Sequence, residues 1–170
     1  MAYSQAYLDH FSNPRGIGEI ETPGVTLLTT HADCAPLIVY DRNNKILGQA
    51  HAGWRSLASG IVSELVSSVR SLDGKTPGDI KVWLGPTIRA CCYPVGQEVA
   101  DRFPDECLVR VGDSSRLGMG RFIRYELQRL DLDPENFTDS GICTSCHPEF
   151  SSFRRDGHNV KAMACVCGLP

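Results

Sequence analysis

The chain has 170 residues, with 17 basic against 20 acidic side chains and a formal net charge of −3. That length suits one domain with a buried core, and 42% hydrophobic with 22% charged residues excludes a disordered chain. Mild acidity without a basic cluster argues against a nucleic-acid partner. No run nears the roughly 20 apolar residues of a membrane helix, and the first ten residues lack the basic-then-apolar pattern of a signal peptide. A cytoplasmic protein is expected, so its eight cysteines read as thiols, metal ligands or nucleophiles rather than disulfides.

Residues 1–23 read as a polar N-terminal arm broken by Asn13-Pro14-Arg15-Gly16, and 24–170 as one domain. In chain order, 25–29 is a strand, and 36–40 and 45–50 are two strands about the polar turn Asp41-Arg42-Asn43-Asn44. Leu57, Ile61, Leu65 and Val69 recur every fourth residue, which predicts a helix over 56–72. Residues 80–84 read as a strand, 95–103 as a short helix and 107–111 as a strand. Phe122, Ile123, Leu127 and Leu130 share one face of a helix over 118–130, and 161–167 closes the chain as an apolar strand. The order predicts an α/β class, a mixed sheet with flanking helices.

Cys34 and His51 flank the first hairpin. If its loop is residues 41–44, they lie opposite each other; if Asn43-Asn44 form a two-residue turn, His51 is the diagonal neighbour of Cys34. Both registers put them on one face, with Cβ atoms of direct opposites about 4.5–5.5 Å apart. That spacing suits two ligands of one metal or a thiolate with its base; it equally suits a buried Cys and an ordinary strand-end His. His31, an odd number of residues before Cys34, is expected on the opposite side of an extended strand, and His10 could join only if the arm folds over.

Arg55, in Gly53-Trp54-Arg55 between strand and helix, could clamp phosphate or carboxylate, or be solvated. The loop from Gly85 to Tyr93 reads as a pocket wall. Its adjacent Cys91 and Cys92 are expected to point apart and not to share a metal, with one of them lining the pocket. Cys143-Thr-Ser-Cys146-His147 matches a haem-attachment spacing, or with Cys165 and Cys167 a zinc knuckle, although Cys-x-Cys in an apolar strand reads first as core. Arg154 and Arg155 are either surface charge or a second anion clamp.

Ala32-Asp33-Cys34-Ala-Pro36, His51-Ala-Gly-Trp-Arg55, the segment from Leu84 to Tyr93, Leu127-Gln-Arg-Leu130, Cys143-Thr and Ser152-Phe-Arg-Arg-Asp156 occur in one order. Over about residues 24–169 that order resembles the laccase-domain, YfiH-like family, whose members are called polyphenol oxidases and purine nucleoside phosphorylases. The resemblance implies a YfiH-like, cysteine-hydrolase-like fold, here N-terminally shortened. It implies a zinc site of two His and one Cys, phosphorolysis of adenosine, inosine and guanosine, and deamination of adenosine. By motif the metal ligands are Cys34 and His51; the family's first His, in an upstream His-Gly, has no match before Cys34.

Cys34, His51 and Arg55 are then the expected catalytic residues. Arg55, Cys92, Tyr93, Arg154 and Arg155 are expected to bind purine nucleoside and phosphate. The alternatives are a copper polyphenol oxidase, a metal-free Cys34/His51 hydrolase, and an inactive member acting as an interaction protein. Residues 1–21 resemble the start of NifU-type iron–sulfur scaffold proteins, which implies an iron–sulfur assembly partner for the arm.

Overall fold

The computed structural model describes residues 17–20, 24–71 and 79–169. His10 and most of the segment resembling an iron–sulfur scaffold lie outside the described residues.

Strands β1 (Ile17–Ile20), β2 (Thr26–His31), β3 (Ala35–Asp41) and β4 (Ile46–Ala52) come first. Residues 17–20, within the segment read as an arm, therefore form a strand, paired antiparallel to β4. The β3–β4 turn is set by Asp41, whose Oδ1 accepts from the backbone N–H groups of Asn43 and Asn44, each at 3.0 Å. Asp41 pairs with Ile46 and Pro36 with His51. The pairing is that of the two-residue-turn register, so His51 is diagonal to Cys34.

The helix expected over 56–72 is two helices, α1 (Trp54–Ala58) and α2 (Ile61–Ser71). The break is at Gly60, whose φ of +87° interrupts the helical run and is costly for any residue with a Cβ. Strand β5 (Ile80–Leu84) follows as expected. Over 95–103 only α3 (Gln97–Ala100) is helical, because Val95 is taken into a strand, β6 (Pro94–Val95), and Pro104 stops the turn behind. The strand expected from 107 begins at Leu108 as β7 (Leu108–Val111) and turns back into β8 (Ser114–Leu117).

Helix α4 (Met119–Arg129) matches its apolar spacing, β9 (Phe137–Asp139) follows, and the chain closes with α5 (Phe153–Asp156) and β10 (Met163–Gly168). The main sheet has the order β1-β4-β3-β5-β9, antiparallel except for β5–β9. Leu65, Val66 and Val69 of α2 and Ile123 and Leu127 of α4 belong to one buried cluster with Leu37, Val39, Ala50, Val82 and Leu84 of the sheet. The β2–β10 pair is tied to β4 by Gln49, which is 1% exposed and donates to Thr29 Oγ1 (2.8 Å) and Cys165 O (3.1 Å). No described helix is long and apolar enough to cross a membrane.

Candidate active site

The end of the β3–β4 hairpin gathers the chemistry. Cys34 precedes β3, His51 lies in β4, and Trp54 opens α1. A Cβ on Gly53 would stand 3.1 Å from Cys34 Sγ, so glycine permits the thiol to lie against the strand–helix turn. His51 Nδ1 faces Thr30 O at 2.9 Å. A carbonyl only accepts, so Nδ1 carries the proton and Nε2 the ring's lone pair.

His31 is not where an extended chain would put it. Asp33 has φ +84°, and this turn between His31 and Cys34 brings the His31 ring against His51, with centroids 4.7 Å apart and planes 15° apart. Both His31 nitrogens are engaged: Nδ1 donates to Cys34 O (3.1 Å) and Nε2 accepts from Thr29 Oγ1 (2.6 Å). Burial, then the neighbouring His51, lowers its pKa to about 4. His31 is thus a neutral strut, not an available third ligand.

Asp33 is the residue that sequence reasoning missed. Its carboxylate accepts from Thr144 Oγ1 (2.6 Å) and Arg154 N (2.7 Å), and its carbonyl accepts from Ile88 N (2.9 Å) and Thr87 Oγ1 (2.6 Å). It joins the hairpin end to both later segments of the site. The only sequence signal was its place beside Cys34.

Burial pushes the Cys34 thiol up to about 12; the Asp33 charge adds to this and Arg55 opposes it. The bare protein therefore holds a thiol rather than a thiolate nucleophile at neutral pH. Tyr93 is pushed to about 12 by burial and by Cys34, with Arg154 and Arg55 acting the other way. Arg55 stacks on the Trp54 ring at 4.3 Å and Arg154 lies over Tyr93 at 5.3 Å. Cys34, Tyr93, Arg55 and Arg154 thus share one electrostatic neighbourhood.

Two expected residues face elsewhere. Arg155 donates to Thr144 O (2.9 Å), His147 O (3.3 Å) and Phe150 O (2.9 Å) and pairs with Asp156 (2.7 Å), bracing its own loop. Cys92 Sγ lies 3.3 Å from Cys146 Sγ, and Cys91 Sγ 3.7 Å from the same sulfur. Residues 90–92 are a turn, not extended chain, so the two thiols do not diverge. Cys143 completes the group. Burial opposes its ionisation, but N–H groups of Arg89, Cys146 and Ser145 and the Cys91 thiol outweigh burial and bring it down to about 7. Cys165 and Cys167 are not part of it; Cys167 donates to Gln49 Oε1 (3.2 Å) on β4.

Among the described residues, the group of three or more metal-donor side chains within mutual reach is Cys91, Cys92, Cys143 and Cys146. No group of three or more metal-donor side chains within mutual reach includes Cys34 or His51 among the described residues. A separate cleft of about 300 Å³ is lined by Arg89, Arg121, Arg124 and Asp139, the last ion-paired with Arg89.

Residues 20–169 match the family model described as multi-copper polyphenol oxidoreductase laccase. The chain belongs to this laccase family. Among similar family members, mouse purine nucleoside phosphorylase LACC1 is 36% identical over 145 residues, covering 80% of this chain and 34% of the mouse protein. Purine nucleoside phosphorylase YlmD of Bacillus subtilis is 31% identical over 153 residues, covering 85% of this chain and 55% of its own length. The solved structure of Bacillus licheniformis hypothetical protein YfiH superposes with a TM-score of 0.85 at 30% identity, over 91% of this chain and 61% of that one. YlmD from Geobacillus stearothermophilus gives 0.84 at 30%, over 90% and 60%. The laccase-family chain thus spans about a third of LACC1 and just over half of B. subtilis YlmD.

Proposed function

We propose that this laccase-family chain carries purine nucleoside phosphorylase chemistry at the Cys34–His51 end of the hairpin. The observation that carries the reading is Arg154, whose guanidinium lies over Tyr93 at 5.3 Å and whose backbone N–H is held by Asp33 next to Cys34, with Arg55 in the helix that follows His51. In phosphorolysis a phosphate oxygen bonds to C1′ of the ribose while the bond from C1′ to N9 breaks, and the purine leaves with a proton. The phosphate must be held against the sugar, and guanidinium groups do this by paired charge-assisted hydrogen bonds. Tyr93, kept neutral, offers a flat face and a hydroxyl donor to the nucleoside. Arg155, spent on three carbonyls, is assigned to the frame.

Zinc at Cys34 and His51, deamination of adenosine and a cytoplasmic setting belong to the same proposal. A bound metal would supply Lewis acidity; with two donors present, the roles assigned here rest on the side chains alone. The metal-free hydrolase is disfavoured by the high pKa of Cys34.

The test is incubation with adenosine, inosine or guanosine, with and without phosphate, at graded zinc. We expect free base and ribose 1-phosphate only when phosphate is present, and inosine from adenosine in either case. Absence of every product at all zinc levels would refute the proposal, and oxygen uptake with a phenol would favour the copper oxidase.

A further inference from the structure

Outside the proposed catalytic end, four thiols from two distant stretches of chain meet. All four sulfurs lie within 4.8 Å of one another. We propose that Cys91, Cys92, Cys143 and Cys146 form a tetrathiolate zinc site that clips the loop ending in Tyr93 to the segment carrying Thr144.

The distances fit a single tetrahedral ion rather than a disulfide. A tetrahedron with Zn–S bonds of about 2.3 Å has sulfur–sulfur edges of about 3.8 Å. The sulfurs of Cys92 and Cys91 stand 3.3 and 3.7 Å from that of Cys146. A disulfide needs about 2.05 Å, well short of either. An iron–sulfur cluster has its own inorganic sulfides between the metals and the cysteines, and so needs more room than a single ion.

The backbone is arranged for ligation. Cys143 to Cys146 form a turn in which Cys146 N donates to Cys143 O (3.2 Å), and Cys92 N closes a second turn onto Arg89 O (2.9 Å). The two segments are already in register: Thr87 pairs with Cys143, and Thr144 N donates to Thr87 O (3.2 Å). Four thiolates on one dication leave two negative charges, and the Arg116 and Arg155 guanidinium groups sit on carbonyls of Cys91 and of Thr144 and His147. The thiol protons leave as zinc binds.

The site is independent of any metal at Cys34, and the experiment keeps the two apart. The full chain carrying Cys34→Ala is purified with zinc in the medium, and its metal is measured beside that of Cys34→Ala/Cys146→Ser. We expect about one zinc per chain in the first and about tenfold less in the second. Cobalt exchanged into Cys34→Ala is expected to show intense thiolate-to-cobalt absorption and tetrahedral d–d bands. In the same protein, chelation is expected to expose four further thiols to a thiol reagent. The cobalt spectrum and thiol count need no second variant, so they decide the matter even if Cys146→Ser does not fold. No zinc in Cys34→Ala, zinc retained without Cys146, iron in place of zinc, or a disulfide among these four by mass would each overturn the proposal.

Discussion

Asp33 carries more of the site than its position suggests. It is 8% exposed, with a carboxylate shared between Thr144 and Arg154, and it occupies a left-handed backbone conformation. Asp33→Ala loses two charge-assisted hydrogen bonds and adds backbone strain, about 3–5 kcal/mol in all. Asp33→Asn keeps the shape and tolerates the turn, so about 1–2 kcal/mol is expected. Urea unfolding of both variants checks the ranking. His31 gives a pH signature. Its pKa is lowered from 6.5 to about 4 in the fold, so the unfolded chain takes up the proton first as pH falls. The stability it contributes is complete above 6.5 and lost as pH falls towards 4, by at most about 3 kcal/mol. In chelator, the His31→Gln variant should show a flatter stability profile across that window; parallel profiles would contradict the assignment.

At the scale of elements, what was legible followed from side-chain period. The fourfold spacing of Leu57 to Val69 gave helix, and the face of Phe122, Ile123 and Leu127 gave α4 within a residue at either end. Breaks were not legible, because a positive φ leaves no mark in the apolar pattern. Gly60 splits one expected helix, and Asp33 rotates His31 onto the wrong side of an expected extended run. Gly60→Ala forces a Cβ into that conformation and should cost about 1 kcal/mol. A fall in Tm of about 2–4 °C by thermal scan is expected for a chain of this length. Strand β8 was missed because Ser114-Ser115-Arg116 carries no apolar run, and its pairing with β7 supplies what its composition lacks. Cys91 and Cys92 misled for a related reason. Alternation holds for a strand, and these two sit on a turn.

For the molecule as a whole, one sheet holds the hairpin and two later loops wrap its end. The motifs around Cys34, His51 and Arg55 could be placed from the sequence because they lie on one hairpin and its next helix. The convergence of Tyr93 and Arg154 on them could not, since it depends on tertiary links through Asp33, Thr87 and Thr144. Nor could the meeting of two cysteine pairs some fifty residues apart be read from local spacing, though each pair alone was visible. The central claim is that Arg55 and Arg154 hold phosphate for attack on a purine nucleoside beside Cys34. Its most direct test is inosine phosphorolysis at varied phosphate in wild type, Arg154→Ala and Arg155→Lys. Loss of one guanidinium–phosphate contact of about 1.5–3 kcal/mol should raise KM for phosphate at least tenfold in Arg154→Ala, with KM for inosine and the Arg155→Lys enzyme little changed. An unchanged phosphate KM in Arg154→Ala would contradict it.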